Sequence, residues 1–482
     1  MKMRQLMAGI LAATLLAVHP VQVAFAEEDP MTTEVVNPAE EPKESEVVNA
    51  AEVTDAAADR QMSYDTAPET NSLPGWPAGP NVYAHAAVVM DMKSGAILYA
   101  KNPDEKHFPA SITKLLTVLV ALENAELTDT VTFTEDSVEF LNWDDAQIGM
   151  RPGEELNLND ALHAVLLASA NEVSYAVAES VGKTRLHGNY QTFIDLMNER
   201  AKELGCTDSH WMNPNGLHNE EHYTTAHDMA LIASAVFQKP EFHGIMKDLE
   251  YCIPSTNLVN EARVFQQNHK MLWPENQYYS ENCKGGKTGF TDQSGTTLVT
   301  MEDNGTLQLA AVVLQDYGAD AYVDTRAMFD YVFNNFSKVP VSKLAVPKEF
   351  EETGQDLKED GYVVLPNGVS PMKVKSELRT DKTTGSKIVY TYEGQEVGSV
   401  QVSLEKPKVN LDKAEKKEVE AEKKEVEKKE EKSPLPWIVL GIVGIIVLGV
   451  LVFTVQYVRY QKRKRRIQRM RRRRAMEARR RR

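Results

Sequence analysis

No charged residue occurs from Trp437 to Tyr457, a run of Ile, Val, Leu and Gly that suits the ~20 residues a helix needs to cross a bilayer. From Arg459 to the end, fifteen Lys and Arg face a single acid, Glu477. Positive flanks stay on the cytoplasmic side of a membrane. The pair of features therefore predicts a transmembrane helix at 435–458, a basic cytoplasmic tail at 459–482, and an extracellular body before them. The net charge of −16 conceals this split, because removing the tail leaves about −30 for the rest. A polybasic run beside an anionic inner leaflet needs no nucleic acid to explain it, so the cytoplasmic membrane is the expected partner and nucleic acid is not.

The start of the chain agrees with export. Lys2 and Arg4 precede an apolar run from Leu6 to Val18, and Ala24-Phe25-Ala26 forms a small-residue cleavage site, so 1–26 reads as a signal peptide. Three cysteines without C-x-x-C spacing, Cys206, Cys252 and Cys283, exclude a disulfide framework and leave at most one bridge.

Residues 27–80 are rich in Glu, Ala, Val, Pro and Thr without periodicity, which predicts a disordered acidic spacer. A folded domain is expected over 81–338. It opens with strands at 86–92 and 96–99 around a Lys93-Ser94-Gly95 turn. Helices follow from near Ser111, at 158–181, at 190–204 and at 225–237. Strands at 296–300 and 307–314, joined by Asp303-Asn304-Gly305, and a helix at 324–336 close the domain. This order lets the two ends of the domain share one antiparallel sheet, an α+β fold. A small β-rich domain at 339–404 and a Lys/Glu-rich linker at 405–434 complete the chain. The linker carries the same seven residues at 414–420 and 421–427 and lacks a coiled-coil seam.

Ser111-Ile112-Thr113-Lys114 is the main chemical signal. Ser-x-x-Lys also begins at Ser180, Ser370 and Ser403, but only Ser111 stands at the start of an apolar helix, where residues three apart share a face. A Lys114 amine held there and partly desolvated loses its proton readily and can act as base toward Ser111. Ser169 and Asn171 lie at a break between helical runs, placed to pass a proton or bond a substrate amide. Lys287 offers a cationic wall, Thr288 a hydroxyl for a carboxylate, and Gly289 a point of close backbone approach.

Ser-x-x-Lys, Ser-x-Asn and Lys-Thr-Gly in this order resemble the motif set of penicillin-binding proteins and serine β-lactamases. The longer strings at 109–117, 166–172, 212–217 and 286–292 are similar to the low-molecular-mass D-alanyl-D-alanine carboxypeptidases. The resemblance implies a penicilloyl-serine transferase (β-lactamase/transpeptidase-like) fold, with 81–338 as the catalytic domain. It implies peptidoglycan stem peptides ending in D-Ala-D-Ala as substrate, β-lactam antibiotics as covalent ligands, and no cofactor or metal. Ser111 becomes the nucleophile, and the backbone N–H groups of Ser111 and Phe290 the oxyanion hole. Three departures stand out: Glu172 where Asp usually follows the Asn, an insertion-like 183–190, and no Arg in the loop 315–323.

His218-Asn219-Glu220-Glu221-His222 matches H-x-x-E-H, yet it follows a dense turn signal and not a helix, so no zinc site is expected. A serine β-lactamase is the alternative enzyme, but the one string resembling its deacylating motif, Glu154-Glu155-Leu156-Asn157, precedes Ser169 instead of following it. A non-catalytic wall-binding protein keeping the fold is the alternative of another class.

Overall fold

Ala86–Asp91 reads AAVVMD and is buried at every position, which a strand achieves only when both faces of its sheet are covered. In the computed structural model this strand (β1) and Ile97–Lys101 (β2) join Cys283–Thr291 (β3), Gly295–Asp303 (β4) and Gln308–Asp316 (β5). The five form one sheet in the order β2-β1-β5-β4-β3, antiparallel throughout. Successive side chains of β1 point to opposite faces, and the core divides accordingly. Ala86, Val88 and Met90 pack with the helices Lys114–Asn124 and Ala226–Phe237; Ala87 and Val89 pack with Asp320–Asn335 and the C-terminal strands.

The structure describes residues 50–404, apart from 356, 358, 359 and 382–384. The expected leader, linker, membrane span and basic tail lie outside the described residues. Among the described residues no helix is long and apolar enough to cross a membrane.

Three local expectations change. Ala50–Asp65 is helical and belongs to the folded body instead of a spacer. Its anchoring is polar, which composition does not reveal. The buried Lys101 ammonium donates to Ser63 O at 2.6 Å and Val82 O at 2.9 Å, and Arg60 pairs with Asp320 at 2.6 Å. The Lys-Thr-Gly segment is itself a strand, β3, although its glycines have low strand propensity; pairing with β4 overrides that preference. The β-rich segment 339–404 shares a hydrophobic cluster with Trp76, Val89 and Phe329. It is tied on by Ser399 N–H to Ser94 O at 2.9 Å and Tyr362 OH to Asp91 at 3.2 Å, so the boundary at 338 separates no cores. The break expected at Ser169 is present and divides 158–181 into two helices, Leu158–Leu166 and Asn171–Thr184.

Candidate active site

Ser111 lies in a tight turn, Ala110–Thr113, that runs straight into the helix Lys114–Asn124. That helix is apolar nearly all round and fully buried from Lys114 to Ala121, which holds its first turn rigidly. Ala110 has φ 50°, a left-handed conformation that costs a non-glycine residue ~1–3 kcal/mol. The Thr113 hydroxyl donates to Ala110 O at 2.8 Å, and Thr297 on β4 donates to Pro109 O at 2.8 Å.

Two glycines let other chain segments close on this turn. A Cβ at Gly289 would lie 2.9 Å from Ser111 N and 2.4 Å from Thr297 Oγ1. A Cβ at Gly216, where φ is +86°, would lie 1.8 Å from Ala110 O. Strand β3 and the turn at Gly216 can thus approach only as glycine backbone.

Lys114 is fully buried, and its Nζ meets three oxygens: Ser111 Oγ at 2.9 Å, Asn171 Oδ1 at 2.7 Å and Asn215 O at 2.7 Å. Burial holds this amine well below the ordinary lysine range, and the charge of Lys287 lowers it further. A neutral amine has two N–H bonds and one lone pair. The amide and the carbonyl can only accept, so they take both N–H bonds, and the lone pair is left facing the Ser111 hydroxyl. The arrangement is that of a nucleophile with its base in place.

Asn171 opens its helix, with its own N–H donating to Ala146 O at 2.8 Å. Ser169 is buried two residues earlier in a left-handed conformation, φ 62°, and its hydroxyl has no side-chain hydrogen bond among the described residues. Lys287 is buried on β3, donates to Thr288 O at 2.9 Å, and is pushed down to about 7 by burial. It meets Lys114 through its field and not by a hydrogen bond. Thr288 is half-buried, and the Phe290 side chain is 65% exposed at the end of β3.

Several contributors escaped the motif reading. Asn215 acts through its backbone carbonyl, which no side-chain pattern reports. Thr297 and His222 act on the turn and not on Ser111. Glu172 bears on the site as well: it accepts from Ile148 N–H at 2.8 Å, and its charge acts on Lys114. Glu154 is a buried partner of Arg263 at 2.9 Å, which makes that string structural. Ser180 accepts from Thr132 N–H, and Ser370 caps a short turn, so neither is a second nucleophile. Arg326, the first arginine after the loop 315–323, donates to Tyr279 O at 2.7 Å. The three cysteines are unpaired, and burial pushes the Cys283 thiol up to about 12, leaving it inert at neutral pH.

A sequence model of the D-alanyl-D-alanine carboxypeptidase family matches residues 74–318. The chain is 28% identical over 341 residues to D-alanyl-D-alanine carboxypeptidase DacF of Bacillus subtilis, covering 66% of this chain and 80% of that one. It is 33% identical over 244 residues to D-alanyl-D-alanine carboxypeptidase DacC of Escherichia coli, covering 49% and 57%. Penicillin binding protein 5 from Haemophilus influenzae superposes with a TM-score of 0.52 at 24% identity, over 67% of this chain and 97% of that one. This last likeness speaks for the fold.

Proposed function

The chain belongs to the D-alanyl-D-alanine carboxypeptidase family, and from that premise we propose that it removes the terminal D-Ala of peptidoglycan stem peptides through an ester on Ser111. The observation that carries the reading is the Lys114 amine, buried, held well below the ordinary lysine range by that burial, and placed against Ser111 Oγ, Asn171 Oδ1 and Asn215 O.

Lys114 takes the Ser111 proton as Oγ bonds to the carbonyl carbon of the penultimate D-Ala. The oxyanion so formed is met by the N–H groups of Ser111 and Phe290; losing one such donor typically costs ~100- to 1000-fold in rate. Lys114 returns the proton to the leaving nitrogen, the C–N bond breaks, and D-Ala departs. Water then attacks the ester, giving a proton back toward Lys114, and Ser111 is released. Lys287 is the cation for the substrate's terminal carboxylate, with the Thr288 hydroxyl beside it. Its positive field also favours the neutral form of Lys114. Ser169 has a free hydroxyl with which to relay a proton on the leaving-group side. β-Lactams, whose strained amide mimics the scissile bond, acylate the same serine.

We further propose export behind the leader at 1–26 and anchoring by 435–458, with the catalytic body outside the cell and the basic tail inside. The charge-free run and its polybasic flank support this topology.

The test is release of D-Ala from a stem peptide ending in D-Ala-D-Ala. The wild type is expected to turn over and Ser111→Ala is not; equal rates for the two would overturn the assignment.

A further inference from the structure

His222 closes the H-x-x-E-H string that the chemistry above leaves unused. Both of its ring nitrogens are engaged. The Met212 N–H donates to Nδ1 at 3.0 Å, so Nδ1 carries no proton and Nε2 carries the ring's one hydrogen. Nε2 lies 2.9 Å from Thr113 Oγ1, and that hydroxyl lies 2.8 Å from Ala110 O. A carbonyl only accepts, so the hydroxyl donates to Ala110 O and accepts from Nε2–H. The three hydrogen bonds therefore run one way, from Met212 through His222 and Thr113 to Ala110. The ring is 2% exposed, and burial pushes it down to about 3, so it stays neutral and the direction does not reverse near neutral pH.

The Ala110 carbonyl and the Ser111 N–H belong to one planar peptide unit, in which they point in opposite directions. Fixing the oxygen fixes the aim of the N–H. Glycine backbone flanks that unit at two points: a Cβ at Gly216 would lie 3.0 Å from Ser111 N, and one at Gly289 would lie 2.9 Å from it. No side chain at 216 or 289 is there to hold it. The left-handed conformation of Ala110 resists the geometry, so an external hold is required.

We propose that His222 is a positioning residue which, through Thr113, fixes the Ala110–Ser111 peptide so that the Ser111 N–H stays aimed at the developing oxyanion. This rests on the reading of Ser111 as nucleophile. Lys114 takes no part in the relay, since its three partners are other groups. The relay bears on every step that passes through an oxyanion and leaves the proton transfer alone.

The experiment measures acylation by fluorescent penicillin and decay of the acyl-enzyme for wild type, Thr113→Val, Thr113→Ser and His222→Phe, with thermal unfolding of each. Misplacement of about 1 Å costs up to ~100-fold, so Thr113→Val should slow acylation and deacylation together by roughly 10- to 100-fold. Thr113→Ser should recover most of both rates. The acid limb of the acylation profile should keep its position, because the surroundings of Lys114 are unchanged. His222→Phe should show the same paired loss; if that variant does not fold, the two Thr113 variants decide the matter. The proposal is overturned if Thr113→Val keeps both rates within about threefold of wild type, if only one step slows, or if the acid limb moves. Absence of label on Ser111 in the wild type sinks the parent reading instead, whereas normal labelling of Thr113→Val sinks the relay alone.

Discussion

Gly216→Ala places a methyl group where the structure leaves no room. The new Cβ would stand 1.8 Å from Ala110 O and 2.3 Å from Ala110 C, at a backbone φ of +86°. Cβ atoms do not approach other heavy atoms closer than 3.0 Å, so the two segments must separate by more than about 1 Å. Both neighbours are backbone, and neither can rotate aside as a side chain does. The displaced unit carries the Ser111 N–H, and a shift of that size costs ~100-fold in rate. The left-handed φ adds ~1 kcal/mol or more of instability. We therefore expect Gly216→Ala to fold with a lowered Tm and to be acylated by fluorescent penicillin about 100-fold more slowly than wild type. Gly244→Ala is the control: its Cβ meets nothing within 4 Å, it lies in the helix Pro240–Met246, and the change should be neutral or stabilising by ~0.5–1 kcal/mol. Acylation of Gly216→Ala within about threefold of wild type would refute the claim that the turn at Gly216 can approach the nucleophile turn only as glycine backbone.

Lys114→Arg should abolish acylation while the protein still folds, since a guanidinium with a pKa above ~12 cannot accept the Ser111 proton; second-order acylation rates decide it. Lys287 is needed as a cation and is depressed to about 7, so its charged fraction falls as pH rises through that value; kcat/KM should decline on the alkaline side, and Lys287→Arg should extend activity upward. Glu154→Gln breaks a buried pair with Arg263 and should cost roughly 3–5 kcal/mol by denaturant titration, while the folded fraction deacylates at the wild-type rate. Lys101→Met removes the ammonium that joins Ser63 O to Val82 O and leaves Ser63 O only the Thr66 N–H, so limited proteolysis should cut first within the helix Ala50–Asp65.

The sheet was legible because its strands are apolar runs punctuated by turn residues. Lys93-Ser94-Gly95 and Asp303-Asn304-Gly305 mark two of the sheet's hairpins, and the structure pairs β1 with β2 and β4 with β5 around them. Strand β3 was not legible, since CKGGKTGFT has neither alternation nor β-branched weight; its conformation comes from its neighbour. The helix Ala50–Asp65 was hidden for a related reason: its docking depends on Lys101, Asp320 and backbone carbonyls distant in sequence. At the site, the meeting of Ser111, Lys114 and Asn171 could be read from spacing because it is made by side chains at the starts of helical segments. Asn215 and Thr113 could not, because a backbone carbonyl and a bracing hydroxyl leave no pattern. His222 sat inside a motif whose better-known use, zinc ligation on a helix, pointed elsewhere.

The most direct measurement is peptide mapping by mass spectrometry after brief exposure to penicillin. A single penicilloyl increment is expected on the peptide containing Ser111 in the wild type and none in Ser111→Ala. An increment on any other serine, or an unmodified wild type, would contradict this.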